Sequence, residues 1–330
     1  MSKGTPDPEA LAERIFNIRS EAEFEQIALE VYRFQRDSSK VYREYLTLLG
    51  HPEPATVSEI PFMPISFFKT REIRSERQPV ETIFMSSGTT GTVRSSHFVE
   101  STAMYERAFT EIYRQQMGNP EEQVILALLP NYIEQGNSSL VFMVDALIRL
   151  TGNPMSGFYL DNLEELVQAY NQALISGKEI VIFGVSYALL DLAELKPNLS
   201  QARIIETGGM KGRRKELSKE ELHEILKTAF QLPFISSEYG MTELLSQAYS
   251  DKQGLFDLPP WMNILIRDVN DPFHYLEDGK TGGVNVIDLA NLYSCAFIAT
   301  QDLGKKTAGQ LRLMGRFDHA DVRGCNLMIE

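Results

Sequence analysis

The 330-residue sequence predicts an α/β fold, in which helices cover a mainly parallel sheet and a β-rich subdomain follows. Three observations point to it. From residue 82 onward short apolar runs alternate with helical patterns, as in repeated strand–helix units. After residue 240 strand-like runs dominate, with Gly and Asp between them. The composition, 43% hydrophobic and 23% charged, is that of a globular chain with a real core.

Residues 8 to 49 read as helical: Leu11, Ile15 and Ile18 recur at helical spacing, as do Phe24, Ile27, Val31 and Phe34. Gly50 and Pro52 stop that section. The segment Ile60-Pro61-Phe62-Met63-Pro64-Ile65-Ser66-Phe67-Phe68-Lys69 carries two prolines. They disfavour a regular helix and predict an extended, partly buried arm. Strands are predicted at Thr82 to Met85, Gln123 to Leu129, Glu179 to Gly184, Arg203 to Glu206 and Pro233 to Ser236. Helices are predicted at 101–117, 137–150, 161–175, 186–195 and 217–230; Ser218 and Glu221 open the last with capping-box spacing. The later strands are placed at Asn263 to Asp268, Gly283 to Leu289, Ala296 to Ala299 and Gly309 to Met314.

Charge and cysteine content narrow the function classes. The chain has 32 basic and 45 acidic residues, a net charge of −13, which argues against a nucleic-acid or anionic-membrane surface. Cys295 and Cys325 are too few for a disulfide framework and suit a reducing compartment. The five His are scattered, with no Cys/His metal pattern. No signal peptide is read at Met1 to Thr5. The longest apolar runs, Val124 to Leu129 and Leu140 to Val144, are too short to span a bilayer. The expectation is a cytoplasmic protein without membrane insertion.

After the strand ending at Met85 comes Ser86-Ser87-Gly88-Thr89-Thr90-Gly91-Thr92. Its two glycines let the backbone approach an anion, its hydroxyls and N–H groups can donate to phosphate oxygens, and Arg94 adds a cation. It is not a Walker loop, because Gly91 is not followed by Lys and then Ser or Thr. Taken alone, the heptad also fits a polar surface turn.

The residues here carry a resemblance. Ser87-Gly88-Thr89-Thr90-Gly91 resembles the phosphate-binding signature of the acyl-adenylate-forming superfamily. Glu238-Tyr239-Gly240-Met241-Thr242-Glu243 resembles its Tyr-Gly-x-Thr-Glu motif, and Thr300-Gln301-Asp302-Leu303-Gly304 its Thr-Gly-Asp-Leu-Gly motif, with Gln301 in place of Gly. Gly315-Arg316-Phe317-Asp318 resembles the Gly-Arg-x-Asp hinge, and Thr207-Gly208-Gly209-Met210-Lys211-Gly212 stands where an adenine-contacting loop is placed. The motifs occur in the superfamily's order. More narrowly, the Ile60-to-Lys69 arm, the hydroxyl-rich loop and Arg323-Gly324-Cys325 resemble the acyl-protein synthetase subunit of the bacterial luminescence fatty acid reductase.

The resemblance implies the large N-terminal-type domain of that superfamily. Its division here is a helical region with the arm at 1–80, an α/β nucleotide-binding core at 81–240 and a β-rich subdomain completing the site at 241–330. It implies an ATP- and Mg²⁺-dependent acid–thiol ligase acting on a fatty or other carboxylic acid. An acyl-accepting protein or reductase subunit is the implied partner. ATP would be held by Ser86, Ser87, Gly88, Thr89, Thr90, Gly91, Arg94, Gly208, Gly209, Tyr239, Asp302 and Arg316, with Asp302 on the ribose. Thr242 would contact the α-phosphate and Glu243 would hold Mg²⁺. Asp318 is the hinge position. The sequence read here stops twelve residues after Asp318, so the small C-terminal lid domain with its lysine is expected to be absent. A partner protein, or the loop, Mg²⁺ and Lys211 or Arg94, would then stabilise the displacement at the α-phosphate. Cys325 is the candidate thiol that takes the acyl group, with Arg323 favouring its thiolate. Cys295, beside an apolar run, is expected in the core.

Other readings stay open at the level of sequence. The acyl group could pass to coenzyme A or a carrier protein, or the chain could bind nucleotide without turnover. Gly184-Val185-Ser186-Tyr187-Ala188 has part of a serine-hydrolase elbow, without its last Gly. Phe142, Met143, Phe183 and Tyr187 are candidates for an acyl channel, at spacings equally typical of core.

Overall fold

A computed structural model of the chain describes residues 7–50, 53–87, 93–129, 137–160, 162–208, 217–250 and 254–317. Eight α-helices are described: α1 (Pro8–Ile15), α2 (Glu21–Ser38), α3 (Lys40–Leu49), α4 (Thr102–Gln116), α5 (Ser139–Thr151), α6 (Leu163–Ser176), α7 (Ser186–Glu194) and α8 (Lys219–Phe230). The described strands are β1 (Met63–Pro64), β2 (Thr82–Met85), β3 (Ser96–Val99), β4 (Gln123–Leu128), β5 (Gly157–Phe158), β6 (Glu179–Val185) and β7 (Ala202–Thr207). They continue with β8 (Ser236–Tyr239), β9 (Ala248–Ser250), β10 (Leu255–Asp257), β11 (Met262–Arg267), β12 (Gly282–Asp288), β13 (Phe297–Thr307) and β14 (Gln310–Arg316).

Twelve strands form one sheet, in the order β11-β12-β13-β14-β10-β9-β8-β7-β6-β4-β5, with β1 pairing beside β13. From β5 to β8 every pairing is parallel. From β8 to β11 every pairing is antiparallel. β4 and β6 are buried on both faces, as parallel strands covered by helices must be. α5 and α6 pack on β4, and α7 on β6 and β7. The fold class is the α/β architecture that the alternation of runs predicts.

Local chemistry sets the helix ends. Asp7 caps α1, with Pro8 in its first turn, and Ser20 caps α2. Ser218 and Glu221 form the full capping box on α8.

Three expectations are corrected. Thr82–Met85 is not part of the parallel sheet. It pairs antiparallel with Ser96–Val99 in a separate two-stranded ribbon, so the hydroxyl-rich loop connects a hairpin. The Ile60-to-Lys69 arm is extended only in its first half: β1 pairs with Ile298 and Ala299, and Ile65–Lys69 then closes into a 3-10 helix. Pro64 stands just before that helix, where its fixed φ suits helix entry. Pro233 to Ile235 precede β8 rather than forming it. The strand is the polar Ser236-Ser237-Glu238-Tyr239, fully buried.

Candidate active site

In a doubly wound sheet ligands bind outside the carboxyl ends of the parallel strands. A cavity of about 440 Å³ lies there. Its wall brings together the end of β2 (Ser86, Ser87), the start of α5 (Asn137 to Ser139), the end of β7 (Thr207, Gly208) and the turn after β8 (Gly240 to Thr242). Arg94 and Tyr105 also line it.

The root of the hydroxyl-rich loop is clamped. Ser86 N donates to Ser95 O at 3.0 Å, and Ser95 N donates to Ser86 Oγ at 2.9 Å. At the end of β7, Gly208 takes φ of +71°, which glycine adopts without steric cost. Its carbonyl accepts from Ser186 Oγ at 2.8 Å. Ser186 also donates to Glu206 Oε1 at 2.6 Å. That hydroxyl holds the Gly208 carbonyl at the end of β7, and among the described residues it bonds to no histidine.

The turn after β8 is held from outside by side chains. Thr242 O accepts from His97 Nδ1 at 2.8 Å, which fixes the tautomer with the proton on Nδ1. Burial pushes the His97 pKa down to about 4, so the ring is neutral at pH 7. Glu243 O accepts from Asn291 Nδ2 at 2.7 Å. The Glu243 carboxyl is buried and its pKa is raised by that burial, against a hydrogen bond from Ser95 and the charge of Arg316. Leu245 N, Ser246 N and Ser246 Oγ all donate to Asp288, at 2.8, 2.9 and 2.6 Å.

Asp302, on β13, accepts from the Tyr239 hydroxyl at 2.9 Å and pairs with Arg316 Nε at 3.1 Å. Burial raises its pKa, and Arg316 opposes the rise. The structure thus joins Tyr239, Asp302 and Arg316 directly, and Glu243 feels the charges of both Asp302 and Arg316. Ser86, Ser87, Arg94, Gly208 and Thr242 line the cavity itself. Gly88, Thr89, Thr90, Gly91, Gly209, Lys211, Asp318, Arg323 and Cys325 lie outside the described residues. Cys295 is buried, donates to Phe297 O and has its pKa pushed up to about 12 by burial, as a core residue. Of the four acyl-channel candidates only Met143 lines the cavity; Phe142 packs against Phe84, Tyr105 and Phe109.

Sequence reasoning missed Glu238 and Gln247, which also line the cavity. Glu238 is buried and accepts from the Thr207 hydroxyl, its partner across the β7–β8 ladder. Burial pushes its pKa up to about 7. A charged residue inside a strand, one position before Tyr239, was the available signal.

This fold is that of the adenylate-forming ligases. An ATP-bound MatB from Rhodopseudomonas palustris superposes with TM-score 0.55 at 15% identity, over 73% of this chain and 49% of that one. An open conformation of 2-hydroxyisobutyryl-CoA ligase with 2-HIB-AMP and CoA gives TM-score 0.67 at 14% identity, over 92% and 72%. The same ligase in its thioesterification state gives 0.66 at 13%, over 96% and 73%. The chain spans about half the length of the MatB structure it matches. None of the curated proteins matches the chain. The model of the acyl-protein synthetase family, LuxE, matches residues 19–330, and the chain belongs to that family. Among the described residues no helix is long and apolar enough to cross a membrane, and no group of three or more His, Cys, Asp or Glu is placed to hold a metal.

Proposed function

We propose that this chain activates a carboxylic acid with ATP and passes the acyl group to a thiol. In the first step a carboxylate oxygen of the acid attacks the α-phosphorus, and the bond to the pyrophosphate oxygen breaks. In the second the thiolate attacks the acyl carbon of the adenylate, and AMP leaves. The observation that carries this reading is the cavity: Ser86, Ser87, Arg94, Gly208 and Thr242 come from four separate stretches of the chain and converge on one wall.

The hydroxyls of Ser86, Ser87 and Thr242 and the Arg94 guanidinium suit an anionic phosphate chain. Asp302, steadied by Tyr239 and Arg316, is suited to accept from ribose hydroxyls. Mg²⁺ is ordinarily held by one or two carboxylates together with substrate phosphates rather than by a protein cage. Glu243 fits that role, because its buried carboxyl ionises against burial and a cation would offset the cost. Bound there, Mg²⁺ would neutralise phosphate charge. The family resemblance favours a fatty acid as substrate, Cys325 as acceptor and Lys211 as a further cation. The division at residues 80 and 240, and a cytoplasmic location, are part of the same proposal.

Pyrophosphate release with ATP, Mg²⁺ and a panel of acids tests the first step. Saturable ATP binding with no release from any acid would replace it with a non-catalytic binding role. Intact mass tests the second. An ATP-dependent, hydroxylamine-sensitive acyl adduct that disappears in Cys325→Ser supports self-acylation. Release of pyrophosphate with no adduct points to coenzyme A or a carrier protein as acceptor.

A further inference from the structure

Thr300, Gln301 and Asp302 stand on β13 where its pairing with β12 slips. Gly283 pairs with Leu303 and Asn285 with Ala299, so three residues of β13 face Val284 alone. A bulge of this kind interrupts the ladder and re-aims the side chains it carries. Here side chains take over the bonding. Val284 O accepts from Thr300 Oγ1 at 2.8 Å, and Asp302 N donates to the same hydroxyl oxygen at 3.1 Å. The guanidinium of Arg267, at the end of β11, supplies the rest. Its Nη1 donates to Val284 O at 2.9 Å and to Asn285 Oδ1 at 2.7 Å, and its Nη2 donates to Thr300 O at 2.6 Å. The guanidinium lies over its ladder partner Gly283, where an added Cβ would stand 2.5 Å from Cζ and 2.8 Å from Nη2. The centre of the Phe317 ring is 5.5 Å from the same Cζ, within cation–π reach. Phe317 N in turn donates to Gln301 O at 2.8 Å. One guanidinium therefore ties the bulge to β12 and to the residue that follows β14.

We propose that Arg267 is a positioning residue for the ribose of the nucleotide: it holds the bulge that aims Asp302, and through Asp302 it sets the preference for a nucleotide that carries ribose hydroxyls. The inference rests on the adenylation reading above. Tyr239 and Arg316 steady the Asp302 carboxylate, but they do not fix the backbone beneath it. That backbone is fixed from Thr300, whose hydroxyl accepts from Asp302 N and whose carbonyl Arg267 holds. Bonds to two ribose hydroxyls need the carboxylate in one place, and a shift of about 1 Å forfeits most of their strength. Lysine would keep the charge at position 267. It has no planar fork to reach Val284 O, Asn285 Oδ1 and Thr300 O together, so charge alone does not replace arginine here.

The test measures pyrophosphate release by the full chain from ATP and from dideoxy-ATP, which lacks both ribose hydroxyls. The wild type should favour ATP in kcat/KM by at least about tenfold. Arg267→Lys should bring that ratio toward one and leave KM for the acid unchanged. Gly283→Ala keeps Arg267 but fills the space under its guanidinium, and should do the same. A purely structural loss lowers the active fraction for both nucleotides alike and leaves the ratio where it was. Calorimetric affinities for the two nucleotides should show the same collapse without turnover. Asp302→Asn should abolish the preference by itself, and adding Arg267→Lys to it should lower kcat/KM for ATP no further. If both position-267 and position-283 variants keep the wild-type preference, the inference is overturned and the ribose role of Asp302 stands. Equal use of the two nucleotides by the wild type overturns the inference and that role, with adenylation intact. No pyrophosphate from any acid overturns the adenylation reading and the inference with it.

Discussion

Glu206 and Glu238 sit on neighbouring parallel strands, and their surroundings drive them in opposite directions. Burial opposes ionisation of Glu206, but His223, Lys219 and Ser186 outweigh it and hold the pKa down at about 2. Glu238 is equally buried, and the Thr207 hydroxyl and the more distant Lys219 do not compensate, so its pKa stands at about 7. The stability consequences differ in sign. Glu206, depressed, stabilises the fold above pH 4.5 and loses that contribution as pH falls toward 2. Glu238, raised, costs nothing below pH 4.5 and progressively destabilises as pH rises through 7, by ~3 kcal/mol at most. Urea denaturation of wild type against Glu238→Gln should therefore show the variant gaining relative stability between pH 5 and 8. A difference that stays flat over that interval would mean Glu238 is ionised throughout. At Asp302 the expected readout is affinity. Asp302→Asn keeps an acceptor for Tyr239 but loses the charge that would grip ribose, so KM for ATP in pyrophosphate release should rise about tenfold. The exposed Arg316 contributes little to stability through that pair, its side chain being 71% accessible. At this scale motif order was informative and pattern was not. Thr242 and Asp302 stand out in the sequence because their neighbours spell a signature. Gln247 has no sequence context that announces a place in the cavity wall, and Glu238 acquires its character only from burial.

Among the elements, the turn after β8 depends on a strand remote in sequence. Asp288 ends β12 and takes three hydrogen bonds from Leu245 and Ser246, while Trp261 Nε1 donates to Ser246 Oγ at 2.9 Å. Removing the carboxylate leaves two buried backbone donors unpaired next to Thr242 and Glu243. Asp288→Ala should cost ~3 kcal/mol in urea denaturation. It should also weaken ATP binding, although Asp288 is not one of the residues that line the cavity. Unaltered ATP affinity at reduced stability would separate the turn's geometry from nucleotide binding. Elements with strong hydrophobic period were read to within a residue or two, as at β4, β6 and α8. The ones missed are short or polar: β3, β5, β9 and β10 have two to four residues each, too few for a period to show. β13 was cut short at Ala299 because Asp302, Lys305 and Lys306 interrupt its apolar run, yet it continues to Thr307 through ladder pairing with β14. Partners distant in sequence decide such cases.

Across the whole molecule, regions far apart in the chain share one core. Gln35 on α2 donates to Asn291 O and Leu292 O, both at 2.9 Å, and accepts from Ala296 N at 3.0 Å. β1 adds to β13, and Phe16 of the N-terminal section packs edge-on to Trp261 at 4.9 Å. The parallel and antiparallel halves meet at β8–β9 by hydrogen bonds within one sheet, with no break in the buried core. A chain of this length often unfolds through intermediates, but here neither half can leave without exposing a sheet edge and the core beneath it. We expect one cooperative transition. Trp261 is the single tryptophan, 1% exposed and in the antiparallel half, so its fluorescence reports that half. The helices α4 to α8 all lie before residue 240, so far-UV circular dichroism is weighted to the other half. Urea curves from the two probes should coincide in midpoint and slope. If the fluorescence transition separates from the dichroism transition, the sheet parts at β8–β9. The turn between those strands, which carries Gly240, Thr242, Glu243 and Gln247, would then be the seam between two independently stable units.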